Sequence, residues 1–388
     1  MLIYILILLL IAFFSFRLDL KGHVDTPLYE KCWRMSFLVL VLLAGLRNEI
    51  GIDTYTYSMK YENMPDLVGM FEPSNFEEYS TQFLWSFLLS LFKTLNADWV
   101  VVQFVIALVF NLLLFRYIKK TTSKRFLTLF CVIILSWWNL SFEVLRESIC
   151  IVLLLNGLLE LEKKNSKKFF LWCLPAFFIH WFSFVPILII YLACKCSYSV
   201  LLFSSLVLGV LLFIIGKTYM TEQLLLLSAF FSSDMSTRIT DYTDITRDAS
   251  LIGILFEFVT LSLAPVIISF IFNKKHVYPI LSKVLLLFFP FVSLRFSVPI
   301  FYRLLNYIEI PYAIAAIILL TNKQLRFELM KIAVVFLLIF NIVKTANDFY
   351  KPSPIETRGY DYDCRYIPYT SVFEPNDPIR DGLYKGTY

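Results

Sequence analysis

Of the chain's 388 residues, 59% are hydrophobic, 18% aromatic and only 17% charged, where a soluble chain would carry roughly 45–50% apolar and about 25% charged residues. Mean hydropathy is +0.71 and net charge only +5, which excludes water-soluble domains, nucleic-acid binders and disordered chains. The composition is that of an all-α, polytopic membrane protein.

About 20 apolar residues cross a bilayer, with roughly 17–25 as the range and shorter cores helped by snorkelling ends. In chain order the runs are 1–16, 32–46, 98–114, 126–140, 147–159, 200–215, 251–272, 278–294, 304–320 and 327–343. The first lacks a basic n-region and a small-residue cleavage site, so it reads as a retained span and not a signal peptide. Two segments are ambiguous. Segment 81–95 is apolar but carries Lys93 and polar flanks, and 169–193 is broken by Pro175 and Pro186 with His180 between them.

Charge places both. Segments 17–34, 116–125, 160–168, 195–199, 273–277 and 321–331 hold 19 Lys and Arg in 58 residues. Segments 47–97, 141–146, 216–250, 295–303 and 344–388 hold 15 in 146. That asymmetry is expected if the first set faces the cytoplasm. It holds only if 81–95 lies flat as an external amphipathic helix, and if 169–193 enters and returns as a broken re-entrant hairpin with His180 near its turn. Such a turn is tolerated at membrane depth where it is buried in protein or lines a wet cavity. The expectation is about ten full transmembrane helices in a single domain over 1–343. Extracytoplasmic loops 47–97 and 216–250, an extracytoplasmic tail over 344–388 and two extracytoplasmic termini complete it.

The seven cysteines show neither zinc-type spacing nor an even external set for disulfides. There is no HExxH, no His pair, no P-loop and no GxGxxG, so no metal, nucleotide or other cofactor is expected.

The first external loop opens Arg47-Asn48-Glu49-Ile50-Gly51-Ile52-Asp53-Thr54-Tyr55-Thr56-Tyr57. Arg47 sits where the second span meets the outer surface, at a level where a guanidinium can take phosphate oxygens through two parallel charge-assisted bonds. Asp53 follows a glycine that permits a sharp turn, and Tyr55 and Tyr57 offer platforms for sugar rings. A snorkelling Arg and a solvated Asp are the plainer alternative. Arg146 lies in a span-to-span corner where positive-inside statistics disfavour it; an ion pair with Glu143 or Glu147 would account for it, as would an anionic ligand. Arg295 and Arg303 flank another short external loop, and Asn306 and Tyr307 share a helical face with Arg303. Several external span ends carrying Arg point to one polyanion. His180, at its break, is either a packing residue or a cavity lining. Glu257 and Lys283, inside neighbouring spans, read as a pair.

These residues carry a resemblance. Arg47…Gly51-Ile52-Asp53-Thr54…Tyr57 resembles the opening R-x-x-x-G-x-D-x-x-x-Y signature of the EpsG family, the Wzy-like polymerases of exopolysaccharide and capsule loci. Arg146-Glu147-Ser148-Ile149 resembles its R-[QE]-x-[IL] corner, Phe178-Ile179-His180-Trp181-Phe182-Ser183 its F-x-H-x-S hairpin, Arg303-Leu304-Leu305-Asn306-Tyr307 its R-x-x-x-Y span start, and Tyr366-Ile367-Pro368-Tyr369 its late aromatic-Pro-Tyr element. Ser183 stands three residues after His180, where many relatives are tighter.

The resemblance implies a GT-C-like membrane glycosyltransferase of the bacterial cytoplasmic membrane. It would join oligosaccharide repeat units carried on undecaprenyl pyrophosphate, donor and acceptor alike, on the outer face. A flippase and a chain-length regulator are the partners it implies beside membrane lipid, with no nucleic acid. Arg146 and Arg303, with Arg47 or Arg295, would hold the pyrophosphate; Tyr55, Tyr57 and Tyr307 would meet sugar or acceptor. Asp53 is the first choice as base and His180 the second. A flippase for the same lipid-linked sugar is one alternative, disfavoured by only 11 Gly and no visible repeat. A membrane acyltransferase is the other, disfavoured because the only early histidine, His23, falls in a cytoplasmic loop.

Overall fold

The computed structural model describes residues 2–22, 26–48, 50–80, 82–228, 256–298, 301–322, 335, 366 and 369–374. These are helical almost throughout, with no named strand among them. The expected span 327–343, most of loop 216–250 and most of the tail lie outside the described residues. The chain divides into two compact units, Met1–Phe184 with Leu338–Tyr388, and Val185–Leu337.

In the first unit, α1 (Leu2–Phe14) runs into a π-helical turn, Ser15–Leu20. It buries Tyr4, Ile7, Ile11 and Phe14, one stripe at helical spacing. Then come α2 (Pro27–Gly45), α3 (Ile52–Glu62), α4 (Leu67–Met70), α5 (Pro73–Ser80), α6 (Phe83–Thr94) and α7 (Trp99–Thr121). After them follow α8 (Arg125–Val132), a π turn (Ile133–Trp137), α9 (Trp138–Phe142), α10 (Leu145–Glu162) and α11 (Ser166–Ile179). Local chemistry sets the boundaries. Thr26 accepts from Tyr29 N at 3.1 Å with Pro27 following, Asp66 caps α4 through Gly69 N, and Asn165 caps α11 through Lys168 N.

Helix α10 is buried on nearly every side, packed between α7 and α11. Gly157 allows the α11 contact: a Cβ there would lie 3.1 Å from the Phe169 ring and 3.2 Å from Cys173 Sγ, the small-residue packing typical of helices in lipid.

In the second unit, α12 (Phe184–Lys195, its first residue still in the first unit) and α13 (Tyr198–Ser228) precede a π turn (Val259–Leu263) and α14 (Ala264–Lys274). Helices α15 (Pro279–Leu286), α16 (Phe288–Ser297) and α17 (Tyr302–Thr321) follow, with α17 the most enclosed. Tyr198 Oη and Ser269 Oγ lie 3.1 Å apart, and Ser269 Oγ donates to Ser282 O at 2.6 Å.

Seven helical stretches among the described residues are long and apolar enough to cross a membrane: Leu2–Leu20, Trp99–Thr121, Arg125–Phe142, Tyr198–Ile215, Phe256–Lys274, Pro279–Phe296 and Tyr302–Thr321. Helices α2 and α10 are of span length, 19 and 18 residues, but carry more charge at their ends. The apolar segment 81–95 forms a helix, α6, that buries Trp85, Ser86, Leu89 and Ser90 on one face. Segment 169–193 breaks where the sequence suggests. Pro175 is accommodated inside α11, His180 is extended (φ −152°, ψ 103°), and a 3-10 turn, Trp181–Ser183, leads into α12. One pairing is corrected. Glu257 meets Arg295 at 2.5 Å, and Lys283 Nζ donates to the Cys194 carbonyl at 2.9 Å, so Lys283 turns to a helix C-terminus and Glu257 to the stronger fork donor.

Candidate functional site

The last carbonyls of a helix have no intrahelical donor. At the end of α2 each receives one from elsewhere. Tyr369 Oη donates to Leu43 O at 3.0 Å, the Arg47 guanidinium to Ala44 O, Gln103 Nε2 to Gly45 O at 2.9 Å, and Val372 N to Leu46 O at 3.0 Å. Arg47 further donates to Ile50 O at 3.3 Å and to Thr54 Oγ1 at 2.8 Å, and lies over the Phe142 ring at 5.0 Å. It is 1% exposed. Burial pulls its pKa down to about 10, with Glu143 acting in the opposite direction, so it stays cationic at neutral pH. The tail is bound here as well: Arg47 and Ser371 form an antiparallel bridge, and Tyr4 Oη donates to Tyr366 O at 2.5 Å.

Gly51 precedes α3 with φ +93°, and a Cβ on it would stand 2.3 Å from Phe142 O. Only glycine satisfies both the backbone sign and this approach. Thr54 Oγ1 donates to Phe142 O at 2.5 Å, and Asp53 N donates to Glu143 Oε2 at 3.1 Å. A carboxylate thus sits at the positive end of α3, where the helix dipole favours it. The first-loop motif and the 142–146 corner, far apart in sequence, form one cluster.

From there α3 presents Asp53, Tyr57 and Lys60 at i, i+4 and i+7, one face of the helix. Tyr57 and Lys60 line a cavity of about 500 Å3, with Tyr79, Gln82, Trp85 and Arg146 among the other walls and Met64 and Leu89 as apolar surface. Arg146 Nε donates to Tyr57 Oη at 3.3 Å, its guanidinium lies 5.1 Å over the Tyr57 ring, and Nη1 donates to Gln82 Oε1. Trp85 meets Tyr57 edge-on at 5.8 Å. Among the described lining residues there are two cations and no carboxylate. An anion fits such a wall, and the aromatic faces suit a sugar beside it.

Helices α10 and α11 are joined by a short turn and pack along their lengths. Cys150 Sγ, one turn past Arg146, approaches Ala176 O at 3.5 Å, and His180 N bonds the same Ala176 carbonyl at 2.9 Å. His180, 7% exposed, therefore sits at the Arg146 end of α10. Arg47, Asp53, Tyr57, Arg146 and His180 are gathered at one end of the first unit. Of these, Tyr57 and Arg146 line the cavity, and Arg47 is bound to carbonyls outside its walls. Tyr55 lies on α3, its side chain outside the described residues. Arg295, Arg303 and Tyr307 belong to the second unit: Arg295 is ion-paired to Glu257, and Arg303 stands in the first turn of α17, ahead of buried Asn306 and Tyr307.

Lys60, Gln82, Trp85, Gln103 and the cap made by Glu143 were not foreseen. Glu143 had a signal, a carboxylate in a short corner, but it serves the Asp53 amide. Gln82 had none beyond its polarity at the head of an apolar run. No three His, Cys, Asp or Glu side chains are grouped for a metal among the described residues.

A family model, that of the EpsG family, matches residues 30–353. No curated protein and no solved structure matches the chain.

Proposed function

Because the chain belongs to the EpsG family, we propose that it is a polysaccharide polymerase of the bacterial cytoplasmic membrane, joining repeat units carried on undecaprenyl pyrophosphate at the outer face. Ten spans, a re-entrant 169–193 and external termini belong to the same proposal. The observation that carries it is the cavity wall where Arg146, with uncharged hydrogen-bond partners, stands among aromatic rings and no described carboxylate.

In the reaction the acceptor hydroxyl oxygen bonds to the donor's anomeric carbon, the bond from that carbon to the pyrophosphate oxygen breaks, and its electron pair leaves with the phosphate. Fixed cations at the departing oxygen lower the barrier as charge develops there. Arg146 is assigned that role, with Arg303 of the second unit as the other candidate. Arg295 is less suited, since an anion would compete with Glu257, and Arg47 supports the site by capping α2. The hydroxyl proton goes to a base within hydrogen-bond reach. Asp53, one turn from Tyr57 on the cavity face of α3, is assigned that part, with His180 as the other candidate. Tyr55, Tyr57 and Tyr307 are assigned to sugar contacts.

The test is purified protein in vesicles with both lipid-linked units supplied outside. The wild type should build a ladder of polymer. Arg146→Ala and Arg303→Ala should each stop chain growth while the protein remains in the membrane; normal-length polymer from both would end the pyrophosphate assignment. Asp53→Asn should stop turnover but keep donor binding. An active Asp53→Asn beside a dead His180→Ala moves the base to His180.

A further inference from the structure

Gln82 occupies the N-cap position of α6, yet its side chain makes no cap hydrogen bond. Glutamine is a poor N-cap in any case, since Ser, Thr, Asp and Asn serve that position. The side chain turns instead to Arg146 and accepts from Nη1 through its amide oxygen. Tyr57 Oη accepts from Nε on another edge. Both acceptors are uncharged. A carboxylate in the same place would form a charge-assisted and readily bidentate pair, and an incoming anion would have to break it. The chain has a carboxylate nearby in Glu143, whose Oε2 is engaged by the Asp53 amide.

We propose that Gln82 is a specificity-determining residue of the anion site. Its neutral amide orients the Arg146 guanidinium while leaving that charge available to a pyrophosphate group. The inference rests on the cavity being the pyrophosphate site. Its own content is the neutrality of the partner, and a purely structural partner would obey the opposite rule. If Gln82 only held Arg146 for the fold, a glutamate would hold it better. If it keeps the cation available, a glutamate is the worst replacement and alanine is tolerated.

The experiment compares wild type, Gln82→Glu, Gln82→Ala and Arg146→Ala, purified in detergent. Inorganic pyrophosphate is the probe, followed by its effect on the melting temperature and by equilibrium binding. Gln82→Glu should melt at or above the wild-type temperature and lose affinity by about ten-fold or more, close to Arg146→Ala. Gln82→Ala should keep affinity within about five-fold, because removing a neutral acceptor leaves the cation in place. Affinity in Gln82→Glu equal to or above that of Gln82→Ala overturns the proposal. So does failure of Gln82→Glu to fold, because a carboxylate against Arg146 strengthens the contact if the pair is as described. Polymer synthesis separates the two claims. A wild type that binds pyrophosphate but makes no polymer removes the polymerase reading and leaves Gln82's role standing. Equal polymer from wild type and Gln82→Glu removes Gln82's role and leaves the polymerase.

Discussion

Two arginines of one sequence pattern have opposite employment. Arg47 is wrapped by carbonyls and a hydroxyl under the Phe142 ring, while Arg146 reaches a cavity wall. Sequence places both at span ends but cannot tell whether a guanidinium faces a ligand or its own backbone, because that depends on the tail returning from beyond position 366 to supply the other caps. The two should separate on substitution by lysine. A lysine cannot reproduce the fork that serves three acceptors at once, so Arg47→Lys should lose about 2–4 kcal/mol of stability through buried groups left without donors, read as a lower melting temperature. Arg146→Lys should melt as wild type and lose chain growth. Gly51 was legible as a turn, whereas its approach to Phe142 O was not. Gly51→Ala should cost about 1–3 kcal/mol from its positive φ alone, with the clash adding to it, and a melt shifted by less than 1 °C would contradict the geometry.

At the scale of elements, periodicity and length located the long apolar helices, and breakers placed the interruption at His180. What polarity concealed was the content of 47–80, read as loop and folded as α3 to α5. Their starts are local devices, Gly51, Asp66 and Pro73, too short for a span-sized window to register. The π turns at Ser15–Leu20, Ile133–Trp137 and Val259–Leu263 carry no sequence signature either. Charge contacts tie helices together where apolar surface ends. Glu30, in the first turn of α2 ahead of the apolar run, meets Arg125 of α8 at 2.5 Å and Lys119 of α7 at 3.0 Å. The hydrogen bond from Arg125, then that from Lys119, holds its carboxyl below the ordinary 4.5. A folded-state value below the unfolded one contributes stability that is present above the unfolded pKa and lost as pH falls through the folded one. Melting temperature should therefore drop from about pH 5 downward, and Glu30→Gln should remove part of that slope while lowering the melt at pH 7. An unchanged acid slope in the variant would show that Glu30 does not tie these helices.

For the whole molecule, the match to the EpsG family across 30–353 agrees with motifs spaced along most of the chain. Composition could not show that the tail belongs with the first helices. Tyr366, Tyr369 and Ser371 join α1 and the end of α2 across more than 300 positions, a pairing that hydropathy does not encode. Nor could it show the division into two units, because long apolar helices fill both. The cysteines offer a test of orientation. Cys131, Cys150, Cys173 and Cys194 are buried, Cys32 is half-buried, and Cys196, beside Lys195, is exposed. A maleimide needs an accessible thiol, so Cys196 should dominate labelling of the folded protein in a Cys364→Ser background. If the charge-rich segments face the cytoplasm, a membrane-impermeant maleimide added to intact cells should leave Cys196 unmodified, and the same reagent on inverted vesicles should label it. Labelling from outside, unless 169–193 crosses the membrane after all, would invert every segment at once. It would put the end of α2 and the Arg146 corner on the cytoplasmic side, where a polymerase fed from the outer leaflet has no use for them.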